Sequence, residues 1–150
     1  MIYFLLLRPE NIFIMRTLGQ YVRRYPFSVT LIIVVWYLSF FTPPKIEALE
    51  NVSLIDKWTH IVMYGGTCGV IWIEYIRHHV RLDGQRLFLL AWLAPVAMSG
   101  LIEILQENCT GGRRSGDWMD FAANIVGVSL AALFGVILSK TYPTSKRGNG

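Results

Sequence analysis

The chain has 150 residues, enough for one domain, and 53% of them are hydrophobic against 16% charged, with a mean hydropathy of +0.43. A soluble domain of this size could not bury that much apolar surface, which excludes an ordinary soluble enzyme and points to a polytopic membrane protein. The formal net charge of +4 and pI near 9.3 do not indicate a nucleic-acid binder, because the basic residues flank apolar runs instead of forming one patch interleaved with aromatics.

The run Ile2 to Leu7 is too short to span a membrane, and Arg8 and Pro9 follow it without a small-residue cleavage site, so it does not read as a signal peptide. Met15 opens a basic pre-span segment with Arg16, Arg23 and Arg24; residues 1–14 are expected to be an extension from an upstream start codon. Residues 1–26 then form a cytoplasmic N-terminal segment.

Phe27 to Thr42 contains no charge and stops at Pro43-Pro44, which gives about 24 Å of apolar helix and a first span. Lys45 to Lys57 is a polar loop, and Trp58 marks the interface at which a second span begins, running to about Ile76. Helical periodicity puts His60, Tyr64, Thr67 and Glu74 on one face as a polar stripe, while Gly65, Gly66 and Gly69 permit close approach of a neighbour.

A basic connection from Arg77 to Arg86 leads to a third span, Leu87 to Ile102, with a kink expected at Pro95. Ser99, Glu103, Gln106 and Glu107 share one side of it. The fourth span runs from Trp118 to Ser139, with Asp120, Asn124, Gly127 and Ala131 on one face and a seam of small residues at Gly127, Ala131 and Gly135. The spans together define a four-helix membrane domain over residues 27–139, and residues 140–150 read as a disordered cytoplasmic tail.

Ten of the fourteen lysines and arginines fall in the N-terminal segment, the second-to-third connection and the tail, which places both termini in the cytoplasm. Asp56, Lys57 and His60, then Glu103 to Glu107, then Arg113 to Asn124 therefore all arrive at the same outer face. Charges so close to lipid are costly, about 2.5 to 3.5 kcal/mol each at a helix centre, and usually functional.

Asp56 and His60, spaced i and i+4, can orient an imidazole for proton transfer; the same spacing also fits a carboxylate favouring a helix N-terminus beside an interfacial histidine. Gly111 to Gly116, GGRRSG, offers backbone amides and two guanidinium forks to a phosphate or carboxylate, although Arg113 or Arg114 can equally pair with Glu103 or Asp120. Asp117 is placed to cap the last helix. Lys57 reads as a snorkelling interface lysine. Glu74 lies near the cytoplasmic end as an interface anchor or part of a proton path. His60, Glu103 and Asp120 are acceptable metal ligands, but no HExxH or comparable spacing accompanies them, and neither a metal nor a cofactor is expected. Cys68, deep in a span, and Cys109, in a loop, are not expected to pair.

DKxxH at Asp56 to His60, ExxQ at Glu103 to Gln106, and an arginine followed by DxxD and NxxG at Arg113/Arg114, Asp117, Asp120, Asn124 and Gly127 resemble the VanZ-like family, first known from teicoplanin resistance. The resemblance covers roughly Thr30 to Ser139 and implies a small multi-helix protein of the bacterial cytoplasmic membrane. The phosphotransbutyrylase label that some members carry is set aside, since nothing in this sequence reads as an acyl-phosphate or CoA site.

The leading expectation is an all-helical, four-span protein whose outward polar pocket binds an anionic envelope lipid or glycolipid headgroup. Arg113, Arg114, Asp56, Lys57, Gln106 and Asn124 would line that pocket, while His60 with Glu103 or Asp120 would handle protons. Whether the ligand is also modified stays open. One alternative is a non-catalytic membrane module in which the same charges lock the helices together. A small transporter is less favoured, because four spans show no inverted repeat and Glu74 is the only deep carboxylate. Membrane lipids are the expected partners.

Overall fold

The computed structural model describes residues 9–41, 54–79, 82–111 and 116–141, with side chains from Met15 onward. Every element among these residues is a helix, and none is a strand. Pro43-Pro44 and most of the loop after them, residues 112–115 with Arg113 and Arg114, and the tail from residue 142 lie outside the described residues.

Helix α1 (Pro9–Arg24) had no counterpart among the expected elements. Helix α2 (Pro26–Phe40) is the first expected span, ending two residues early as Phe41 turns extended. Helix α3 (Ile55–His78) is the second. Helix α4 (Gly84–Cys109) is the third, begun by Asp83, whose carboxylate accepts from the N–H groups of Gln85 and Arg86 at 3.0 and 3.2 Å. Helix α5 (Trp118–Thr141) is the fourth.

Pro95 does not break α4. The turn before it, Leu89–Leu93, is π-helical, with the Ala94 N–H bonded to the Leu89 carbonyl. A proline removes the bond to the residue four back and crowds that carbonyl, and a widened turn accommodates both effects.

The most extensive interface joins α3 to α5. Its central contact is glycine on glycine: a Cβ on Gly65 would lie 3.1 Å from the Gly127 carbonyl oxygen, and one on Gly127 would overlap the Ile61 carbonyl oxygen. A Cβ on Gly135 would overlap the Trp72 indole. Gly127, Ala131 and Gly135 are thus buried as the seam requires, whereas Gly66 and Gly69 face open space and take no part in close approach. Val35, Tyr64, Cys68, Ile102, Val128 and Ala131 fill the core beneath the seam, drawn from four helices.

Helix α2 is held at both ends by side chains from other helices. A helix leaves its first N–H groups unpaired. Pro26 has none to lose, and the N–H groups of Phe27 and Ser28 donate to the Glu74 carboxylate at 3.2 and 2.9 Å. The Ser28 hydroxyl adds a third bond at 2.5 Å. At the other end the Gln106 amide donates to the Ser39 carbonyl at 2.6 Å. Glu74 is therefore a helix cap, with its charge spread over three donors. Glu74→Ala is expected to lower stability by about 3 kcal/mol, since it strands the two buried donors of Ser28 at about 1 to 3 kcal/mol each and a part-buried one on Phe27, with partial relaxation. Glu74→Gln should cost less than half as much, because its amide oxygen still accepts. Unfolding in detergent checks both.

Helices α4 and α5 are long and apolar enough to cross a membrane, with a third of each apolar window buried. Helix α2 is apolar but only 15 residues long, and α3 carries Asp56, Lys57, Glu74 and Arg77 along its length. The outside of the bundle is apolar, with Val62, Leu130, Leu133, Phe134 and Ile137 all exposed, while polar groups are turned inward.

Candidate functional site

The polar end of the bundle is assembled from the first turns of α3, the last turns of α4 and the start of α5. Lys57 and His60 lie three residues apart on α3 and so face the same way. Asp117 caps α5, its carboxylate accepting from the Met119 N–H at 2.7 Å, and Asp120 and Asn124 follow on one face of that helix.

The Lys57 ammonium binds the second oxygen of Asp117 at 2.5 Å and also Asp120, while exposed Asp56 lies 3.5 Å away. Lys57 is thus the cation that ties α3 to the start of α5, not a side chain reaching for the surface. Pairing with Lys57 lowers the Asp117 carboxyl below its ordinary 3.8. A depressed carboxyl contributes stability that is complete above its unfolded value and disappears as pH falls through the folded one. The melting temperature is therefore expected to fall more steeply below pH 4 in the parent protein than in Asp117→Asn, as thermal melts from pH 6 to 2.5 would show.

His60 is buried between Asp120 and Asn124. Its Nδ1 lies 3.0 Å from the Asn124 amide oxygen, whose nitrogen donates to the Ser99 hydroxyl at 2.7 Å. An amide oxygen only accepts, so Nδ1 carries the hydrogen. Nε2 faces Asp120 Oδ2 at 3.4 Å. Asp120 thus divides its two oxygens between an ammonium and an imidazole. The orientation expected from Asp56 is supplied instead by Asn124 and Asp120, which come from another helix.

Glu103 and Glu107 bind backbone. Glu103 accepts from the Asp117 N–H at 3.0 Å, and Glu107 accepts from the Gly116 N–H at 2.9 Å. Together they fasten the strand of chain entering α5 to the end of α4. A Cβ on Gly116 would overlap the Glu103 carbonyl oxygen, so only glycine passes there. A cleft of about 340 Å³ opens beside this join, lined by Glu103, Glu107, Asn108 and Trp118 among others.

Of the residues expected at the site, His60, Lys57, Asp120 and Asn124 meet directly, Asp56 stands at the rim, and Glu103 joins through the backbone of Asp117. Gln106 is turned to α2 and does not reach the cluster. Arg113 and Arg114 lie outside the described residues. Sequence reasoning gave Asp117 only a capping role and missed Ser99 as a partner of Asn124. The signal for Asp117 was its spacing of three from Asp120 at a helix start. Asp56, His60 and Asp120 present ligand atoms within 4.8 Å of one another. A divalent ion would fit that donor set, but the Lys57 ammonium already bridges the two aspartates. Glu103, weighed as a metal ligand from sequence, is not part of this group. Cys68 is buried, Cys109 exposed, and both are free thiols.

Compared with known proteins, the chain matches no family model, no curated protein and no solved structure.

Proposed function

We propose that this chain is a VanZ-like protein of the bacterial cytoplasmic membrane, with α2 to α5 as four spans, both termini in the cytoplasm, and the polar end facing outward. There it binds an anionic envelope lipid or glycolipid headgroup. The observation that carries this reading is the set His60, Asn124, Asp120 and Lys57: four polar side chains from two helices, joined in a chain of hydrogen bonds and charge contacts at one end of the bundle. Lipid-buried polar groups in such order usually serve a ligand or a proton.

The described carboxylates outnumber Lys57, so an anionic ligand needs further cations, and Arg113 and Arg114, a few residues before Asp117 in sequence, would supply them. His60, with its Nδ1 proton committed to Asn124, receives a proton at Nε2 from a ligand hydroxyl or a water. Asp120 then stabilises the imidazolium. This division of labour serves binding and, where the ligand has a labile bond, its modification. A second reading, a structural module that only locks helices, draws on the pairing of Lys57 with two aspartates.

Replacing the chromosomal codon in the native host separates the two. If deletion of the chain raises teicoplanin susceptibility, as the resemblance implies, His60→Ala is expected to raise it equally with unchanged membrane abundance. Parental susceptibility would end the site hypothesis, and loss of abundance would favour the structural module.

A further inference from the structure

The 24 residues of α3 separate its ends by about 35 Å, and the end remote from His60 carries a second concavity. There α1, the end of α3 and the first turns of α4 enclose a cleft of about 520 Å³. One wall is a ladder of rings, Tyr21 on Tyr25, Tyr25 on His79 and His79 on Tyr75, with centroids 6.2, 6.4 and 4.0 Å apart. Arg24 and Arg86 border it from opposite helices.

Both arginines are held in place with donors to spare. Arg24 donates from Nη2 to the His78 carbonyl at 2.8 Å, and its guanidinium lies 6.0 Å from the centre of the Tyr25 ring. Arg86 meets Asp83 through Nε at 3.2 Å, and Asp83 is also committed to the first N–H groups of α4. No carboxylate lines the cleft among the described residues. Leu89 and Leu90 continue its wall along the exposed apolar side of α4. Helix α1 exposes Met15, Leu18 and Val22 together with Arg16 and Arg23, the composition of a helix lying in a membrane surface.

Two guanidinium groups over an aromatic wall, opening on an apolar helix face, complement a phosphate diester attached to acyl chains; a free phosphate would use only the first half of that surface. We propose that this cleft holds one anionic glycerophospholipid, its phosphate between Arg24 and Arg86 and an acyl chain over Leu89 and Leu90. The site is separate from the His60 cluster and does not depend on what that cluster binds.

The test is native mass spectrometry of the full chain released from detergent micelles containing equal phosphatidylglycerol and phosphatidylcholine. Retention of phosphatidylglycerol over phosphatidylcholine is expected. Arg86→Gln should weaken it about fivefold, and Arg24→Gln with Arg86→Gln about 25-fold. The single Arg86→Gln change breaks no buried bond, so its effect is read on folded protein. Arg16→Gln, on α1 but outside the cleft, should leave retention unchanged. Loss with Arg16→Gln equal to that with Arg86→Gln would reduce the effect to a diffuse basic surface. Displacement by millimolar inorganic phosphate would mean a free anion and not a lipid. No preference between the two lipids would overturn the proposal outright.

Discussion

Lys57→Met is expected to destabilise the folded protein by about 3 kcal/mol, at the low end of the range for breaking a desolvated pair. The ammonium's side chain retains 20% of its exposure and that of Asp120 only 11%, so what is stranded is chiefly the Asp120 carboxylate. Asp117, at 43%, is resolvated by water. Adding Asp120→Asn to Lys57→Met should restore most of the loss, because replacing both members removes the stranded charge. Chemical unfolding in detergent reads both variants. A double variant no better than the single would show that Lys57 stabilises by something other than this pair.

Gly127→Leu is expected to cost at least about 3 kcal/mol and to sharply lower folded yield. Overpacking a core usually costs about 1 to 3 kcal/mol, but here the obstruction is the carbonyl of Ile61, backbone that cannot rotate aside, and the rest of the side chain must force α3 from α5. Gly66→Ala, with open space around it, is the control; it should gain up to about 1 kcal/mol in helix propensity. Equal tolerance of the two changes would mean that the helices do not cross at Gly127. Leu133, exposed on the same helix, should accept alanine without loss of yield.

Helices α2 to α5 were legible in sequence, and α1 was not, because apolar runs and a polar stripe at helical spacing follow directly from local chemistry. The stripe on α3 is a clear instance: His60, Tyr64, Thr67 and Glu74 are all buried. What escaped were pairings across the chain. Nothing near Lys57 announces that its partners lie 60 and 63 residues away, and the local reading of a surface-seeking lysine was therefore the natural one. Glu74 likewise reads alone as an anchor or a proton carrier, and only the packing of α2 beside α3 makes it a cap. Gly66 and Gly69 were grouped with Gly65 by proximity in sequence, yet a helix turns them about 100° and 40° away from the interface that Gly65 occupies. At Pro95 the sequence gives the site of irregularity but not its form, since a kink and a π turn relieve the same crowding.

The free thiols provide the most direct test of the proposed orientation, in which the His60 end of the bundle faces out of the cell. Cys109 is the last residue of α4, a turn and a half beyond Glu103, and is exposed, whereas Cys68 is fully enclosed between helices. In intact cells, an impermeant maleimide is expected to label Cys109 and to spare Cys68. In a Cys109→Ser background, His79→Cys, at the opposite end of α3, should be labelled only after the membrane is opened. Labelling of His79→Cys in intact cells, with Cys109 protected, would contradict the account and place the cluster in the cytoplasm.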